Sequence, residues 1–195
     1  MARTTWTQTR SVGSLRDGAD DGGAEKLARF RVLFDDNFAY VWASLARLGV
    51  ADRDCEDVAN EVFLSVYRKL DQYDRARPLR PWLFAFAAGT ASDYRRLARH
   101  RVDLSGESQD FVSDRMEGED LLLARERHAL VDAALAEVDQ EKRVVLILHE
   151  LDECPIPDAA IALGIPEGTA YSRLRAGRAQ FEAAVRRIQK KKERP

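Results

Sequence analysis

Between residues 27 and 48 the apolar side chains Leu27, Phe30, Leu33, Phe34, Phe38, Val41, Leu45 and Leu48 recur mostly at steps of three and four. This is the spacing of one face of an amphipathic helix, and such a face must be buried against another element. The period returns at Val58, Val62, Val66 and Leu70, with Phe63 and Tyr67 beside them, and again at Leu122, Leu130, Val131, Ala134 and Leu135. No window shows sustained apolar–polar alternation with β-branched enrichment, so no sheet is expected, and no internal repeat is apparent. At 195 residues the chain has room for two small units rather than a large multidomain enzyme. The expected fold is all-α: two small helical domains joined by an acidic linker, the second containing a helix-turn-helix.

Residues 1–23 are polar and carry Gly13, Gly18, Gly22 and Gly23, which predicts a flexible N-terminal extension. A first helix over 24–50 should stop at Gly49, and Asp52 or Asp54 should cap a second one. Its polar face holds Glu56, Asp57, Asn60 and Glu61. An ordered loop over 71–81 contains Pro78 and Pro81, and Pro81 should open a third helix. That helix, over 82–101, begins apolar with Trp82, Leu83, Phe84 and Phe86 and ends basic with Arg95, Arg96, Arg99 and Arg101. The first domain therefore spans 24–101. Over 102–120 the chain turns acidic, with Asp103, Glu107, Asp110, Asp114, Glu117, Glu119 and Asp120 against Arg115, and reads as a linker. A second domain over 121–190 starts with a helix over 121–138; Asp139 should cap the next, which carries Val144, Val145, Leu146 and Leu148. Residues 191–195 form a basic tail.

The 31 Lys and Arg nearly balance the 33 Asp and Glu, and the net charge of −2 averages over blocks able to face different partners. Cys55 and Cys154 have neither the number nor the spacing of a disulfide framework or a zinc site. His100, His128 and His149 are scattered, so no metal or other cofactor is expected. No nucleophile or phosphate loop accompanies the carboxylates of 52–61, which argues against an enzyme. The longest aliphatic run, residues 144–148, is far too short to span a bilayer, and the N-terminus lacks the apolar stretch of a secretory signal. Together these predict a cytoplasmic protein.

The segment over 155–178, PIPDAAIALGIPEGTAYSRLRAGR, has helix-turn-helix spacing. Ala160 permits close helix approach, Gly164 tolerates a positive φ in the tight turn, and Ile165 and Leu174 close a small core. Thr169, Tyr171, Ser172, Arg173, Arg175 and Arg178 then lie on the outer part or later turns of the second helix, with donors suited to phosphates and base edges. The alternative is an ordinary helical hairpin with a solvated basic face. Arg186, Arg187, Lys190, Lys191, Lys192 and Arg194 add a cationic end that either steers phosphates or is a solvated terminus. A second basic block, Arg75, Arg77, Arg80, Arg95, Arg96, Arg99 and Arg101, is interleaved with Tyr73, Trp82, Phe84, Phe86 and Tyr94. Arginines with aromatics suit unstacked single-stranded bases. Trp82 and Phe86 are expected in the core, whereas Tyr73, in the loop, is open to base contact.

The runs CEDVANEVFLSVYRKLDQYD and RPWLFAFAAGTASDYRR, the acidic linker, and KRVVLILHELDECPIPDAAIALGIPEGTAYSRLRAGRAQF together resemble a bacterial sigma factor of the extracytoplasmic-function group over residues 25–188. The resemblance implies a subunit that directs core RNA polymerase to promoters and supports melting, with region 2 over 24–101 and region 4 over 121–190. It implies that Asp57, Asn60 and Glu61 dock on the polymerase, with Asn60 where the family usually has Gln. Tyr73, Arg75 and Arg77, in the loop that captures a flipped-out base, and Asp93, Arg95, Arg96 and Arg99 would serve the minus-10 element. Glu167, Gly168, Thr169, Ser172, Arg173, Arg175 and Arg178 would serve the minus-35 element. Gly89, Ala170 and Val138-Asp139 depart from the family pattern. The implied partners are core RNA polymerase, promoter DNA and an anti-sigma protein. The competing readings are a dimeric helix-turn-helix regulator of duplex operator DNA and a helical adaptor that binds only proteins.

Overall fold

The computed structural model describes residues 21–105 and 119–192, with side chains over 22–98 and 127–192. The expectations for residues 1–20, for most of the acidic linker and for the last three residues lie outside this set. Among the described residues there are seven helices and no strand: α1 (Asp21–Arg47), α2 (Asp52–Lys69), α3 (Leu79–Ser105), α4 (Glu119–Ala136), α5 (Gln140–Leu146), α6 (Ile156–Leu163) and α7 (Glu167–Lys192). A single tight turn, Leu70–Gln72, follows α2, and a wide turn, Ile147–Leu151, extends α5.

Helix α1 starts at Asp21, three residues before the expected position. Gly22 and Gly23 are thus helical, ahead of the expected start. Its end is the expected one. Gly49 has φ +90°, and the Val50 amide donates back to the Leu45 carbonyl at 3.0 Å, a left-handed helix stop.

Other expected boundaries shift for local reasons. The position that caps α2 is Ala51, which makes no side-chain cap bond, so neither Asp52 nor Asp54 caps it. Both instead lie in the first turn, where their charge favours the positive end of the helix dipole. Helix α3 starts at Leu79, placing Pro81 third in the helix, where the missing N–H is still of no consequence. Helix α4 runs two residues earlier at each end than expected. Asp139 does precede α5, but its carboxylate makes no cap bond. It accepts from Lys142 Nζ at 2.5 Å and Gln180 Nε2 at 2.7 Å, contacts that hold its pKa below the usual carboxylate range.

Helices α1, α2 and α3 pack into a first half around Val41, Leu45, Val62, Phe63, Val66, Leu83 and Phe84. Phe63 is the hub: the rings of Phe34, Phe38 and Phe30 lie 4.6, 6.1 and 6.3 Å from it, within the range of favourable aromatic pairing. Helices α4 to α7 form the second half around Val145, Leu148, Ala159, Ala160, Ala170 and Leu174. One continuous buried cluster runs through both halves.

Polar contacts reinforce this junction. Arg143, 3% exposed, donates through Nη2 to the carbonyls of Ala136 at 2.6 Å and Val138 at 2.9 Å, and through Nη1 to Leu48 at 3.4 Å. It therefore satisfies chain-end carbonyls just beyond α1 and at the end of α4. Tyr40 of α1 donates to Asp152 Oδ2 at 2.6 Å, and Arg80 lies 5.2 Å from the centre of the Tyr40 ring.

Candidate nucleic-acid interface

The second half contains the expected helix-turn-helix. Gly164 closes α6 with φ +64°, which a residue bearing a Cβ rarely adopts. The Ile165 amide donates to the Ala160 carbonyl at 3.0 Å, and the Pro166 carbonyl accepts from Thr169 at 2.9 Å and Ala170 at 3.1 Å, launching α7. Ala170, Leu174, Gly177 and Ala184 are buried on the inner face of α7. Gly168, Tyr171, Ser172, Arg175 and Arg178 are exposed on the outer face. Glu167 is exposed in the first turn, and Thr169 and Arg173 are half-buried at the margins.

The cations of this face differ in availability. Arg173 is paired with Glu141, and Arg178 with Glu150, its Nε lying 2.7 Å from Oε1. Arg175 has no acidic partner among the described residues. Exposed pairs of this kind are worth about 0–1 kcal/mol, so they hold the side chains only loosely. Beyond them, Arg187 pairs with Glu137, and Lys190, Lys191 and Lys192 are exposed at the end of α7.

The loop of the first half is ordered by its own side chains. Tyr73 donates its hydroxyl to the Arg77 carbonyl at 2.5 Å, Asp74 Oδ1 accepts from the Ala76 amide at 2.9 Å, and Arg77 Nε lies 3.4 Å from Asp74 Oδ2. The Tyr73 ring is 4.7 Å from Trp82, which is 4.9 Å from Phe86. Burial and then the Asp74 charge raise the Tyr73 pKa, so it is a neutral donor at physiological pH. Trp82 and Phe86 pack against the core but are only half-buried, so they also form the wall of this face. Gln72, Tyr73, Arg77, Pro81 and Trp82 line a cavity of about 230 Å³ that α6 bounds with Asp158 and Ile161.

Along α3, Asp93 and Arg96 are exposed and paired at 3.1 Å. Arg95 points instead across the junction, donating to Gln140. The Arg99 side chain lies outside the described residues. Arg75 is exposed in the loop. On α2, Asp57, Asn60 and Glu61 are all exposed, away from the buried face of Val58, Val62 and Val66.

The matches to known proteins follow the same division. Residues 33–116 match the Sigma-70 region 2 family and residues 128–181 match Sigma-70, region 4. The chain is 32% identical over 152 residues to the ECF RNA polymerase sigma factor SigL of Mycobacterium tuberculosis, covering 77% of this chain and 85% of that one. It belongs to the ECF RNA polymerase sigma factors. The ECF RNA polymerase sigma-E factor of Escherichia coli is 29% identical over 141 residues, 68% of this chain and 74% of that one. Among solved structures, the sigma factor RpoE of Bartonella quintana, crystallised with the anti-sigma factor NepR, superposes with a TM-score of 0.63. At 20% identity, over 81% of this chain and 97% of that one, it shows the shared fold.

As a sigma factor, the chain directs RNA polymerase to promoters. Two matched regions distinguish it from the operator-binding regulator, which needs only the helix-turn-helix. No helix among the described residues is long and apolar enough to cross a membrane. Sequence reasoning overlooked Leu64, 57% exposed one turn beyond Asn60 and Glu61 on the polar face of this sigma factor's α2. The available signal was an apolar residue at helical spacing from the Asn60 amide and the Glu61 carboxylate but off the buried stripe. It also overlooked Lys69, whose ammonium stands 5.7 Å from the centre of the Phe86 ring, and the two junction residues Tyr40 and Arg143.

Proposed function

We propose that this sigma factor acts through three surfaces, with region 2 at 24–101, a linker at 102–120, region 4 at 121–190 and a basic tail at 191–195. Asp57, Asn60 and Glu61 dock on core RNA polymerase, where their amide and carboxylates suit a basic partner and repel phosphates. Tyr73, Arg75, Arg77, Asp93, Arg95, Arg96 and Arg99 serve the minus-10 element, the aromatic loop receiving an extruded base during promoter melting. Arg95 takes part after leaving Gln140. Glu167, Gly168, Thr169, Ser172, Arg173, Arg175 and Arg178 serve the minus-35 element from the major groove. The sigma factor works in the cytoplasm, carries no catalysis of its own, and is held off by an anti-sigma protein, as RpoE is seen with NepR.

The observation that carries this reading is the division of α7 into a buried stripe and an outward polar stripe on a helix-turn-helix. The test is run-off transcription by purified core polymerase over a promoter library, with and without the chain. Selective initiation should depend on it, be lost with Asp57→Arg through failure to bind core enzyme, and lose minus-35 preference with Arg175→Ala. Unaltered start-site selection on adding the chain overturns the reading.

A further inference from the structure

The outward stripe of α7 is not purely cationic. Tyr171 sits in its middle with 53% of its surface exposed, and its hydroxyl has no hydrogen-bond partner among the described residues. One turn before it, Gly168 has no side chain, and a Cβ built there meets nothing within 4 Å. One turn after it, Arg175 has no acidic partner among the described residues. The neighbouring Ser172 turns its hydroxyl back to the Thr169 carbonyl at 2.9 Å, while Arg173 and Arg178 are drawn toward the acids of α5 and the turn after it. Apart from the Glu167 carboxylate in the first turn, the groups left on this stripe without a hydrogen bond or ion pair among the described residues are therefore one aromatic ring and one guanidinium.

Those two groups ask for different things from a major groove. Arginine pairs with the acceptor edge of a guanine, whereas the apolar partner a base pair offers there is the 5-methyl group of thymine. The first turns of a recognition helix are also the part that reaches base edges. The absent side chain at Gly168 leaves room for the duplex backbone to come close beside the ring. We infer that Tyr171 is a specificity-determining residue that reads a thymine methyl in the minus-35 element, an inference that rests on the proposed role of α7. Four residues of helix rise about 6 Å, or roughly two base-pair steps, so that thymine lies about two pairs from the base that Arg175 contacts.

The test uses holoenzyme assembled from core polymerase and the full chain, on a promoter selected from a library. Each thymine of the minus-35 element, on either strand, is replaced singly by deoxyuridine, which removes only the methyl group. At one position the affinity of the wild-type holoenzyme should fall about fourfold, the worth of one buried methyl group. Tyr171→Phe should keep that sensitivity and Tyr171→Ala should abolish it; the exposure of the ring makes both variants foldable, which circular dichroism verifies. The inference is overturned if the selected element contains no thymine, or if deoxyuridine has the same effect at every position in wild type and Tyr171→Ala. Arg175→Ala separates the two levels. If it lowers affinity while Tyr171→Ala does not, only the thymine reading falls; if neither matters, the assignment of α7 to the minus-35 element falls with it.

Discussion

Replacing Arg143 by methionine removes the guanidinium while keeping most of the side-chain volume, so its effect reports the hydrogen bonds at the junction. Arg143 supplies donors to three carbonyls, those of Ala136, Val138 and Leu48, at distances from 2.6 to 3.4 Å. Charged donors contribute about 1.5–3 kcal/mol each, and the longest of these contacts contributes least. Against that stands the cost of the buried cation itself. Burial, and secondarily the charge of Arg95, pushes the Arg143 pKa down to about 10, and methionine relieves this penalty. The balance leaves a net loss of about 2–4 kcal/mol, since a carbonyl without a partner inside a protein is costly and a thioether cannot donate. For a chain of this size that corresponds to a fall in Tm of roughly 5–15 °C. Thermal and urea unfolding followed by circular dichroism measure it, with Arg175→Met, an exposed control, within about 0.5 kcal/mol of wild type. An Arg143→Met protein as stable as that control would show that water or a shift of the chain satisfies the carbonyls, and would refute the role given to Arg143.

Phe63→Ala should cost about 3–5 kcal/mol in urea unfolding, because it empties the centre of the aromatic group formed with Phe30, Phe34 and Phe38; a loss below about 1 kcal/mol would mean that these rings collapse into the gap. Tyr73→Ala should lower open-complex stability about tenfold while leaving closed-complex binding intact, as read by permanganate reactivity of promoter thymines; normal melting would reduce the loop to a connector. Burial holds the Asp152 pKa above its ordinary value despite the Tyr40 hydroxyl, so its contribution to stability is complete below the unfolded-state pKa and declines as pH rises through the folded one. Asp152→Asn should therefore be more stable than wild type at pH 7, with the gap closing toward about pH 4; a gap independent of pH would contradict the assignment.

The helices were legible because each carries its own apolar stripe, and Val58, Val62, Val66 and Leu70 point inward as their spacing requires. The helix-turn-helix was legible for a similar reason: the left-handed turn at Gly164 is a local demand that few residues other than glycine meet. What one-dimensional spacing does not contain is the choice a side chain makes between neighbours distant in sequence. Asp139 precedes a helix as a capping residue should, yet its carboxylate is taken by Gln180 across the fold. Arg95 belongs to a basic run, but its guanidinium is drawn to Gln140. Trp82 and Phe86 have core spacing yet remain half-buried: Trp82 lines the cavity that α6 bounds, and the Lys69 ammonium, not an apolar side chain, stands over Phe86. Leu64 has no sequence signal stronger than its position among carboxylates.

The buried cluster shared by α1–α3 and α4–α7 bears on how such a chain can be recombined. Two halves with separate cores could be exchanged between relatives like cartridges, each bringing its promoter preference intact. Here Arg143 and Leu48, and Tyr40 and Asp152, are matched across the seam. A hybrid that imports only the second half brings a foreign guanidinium, or none, to the carbonyl at the end of α1. Parts lists for promoter engineering should therefore place the crossover so that both sides of the seam come from one parent, and keep exchanges of recognition residues to the outer face of α7.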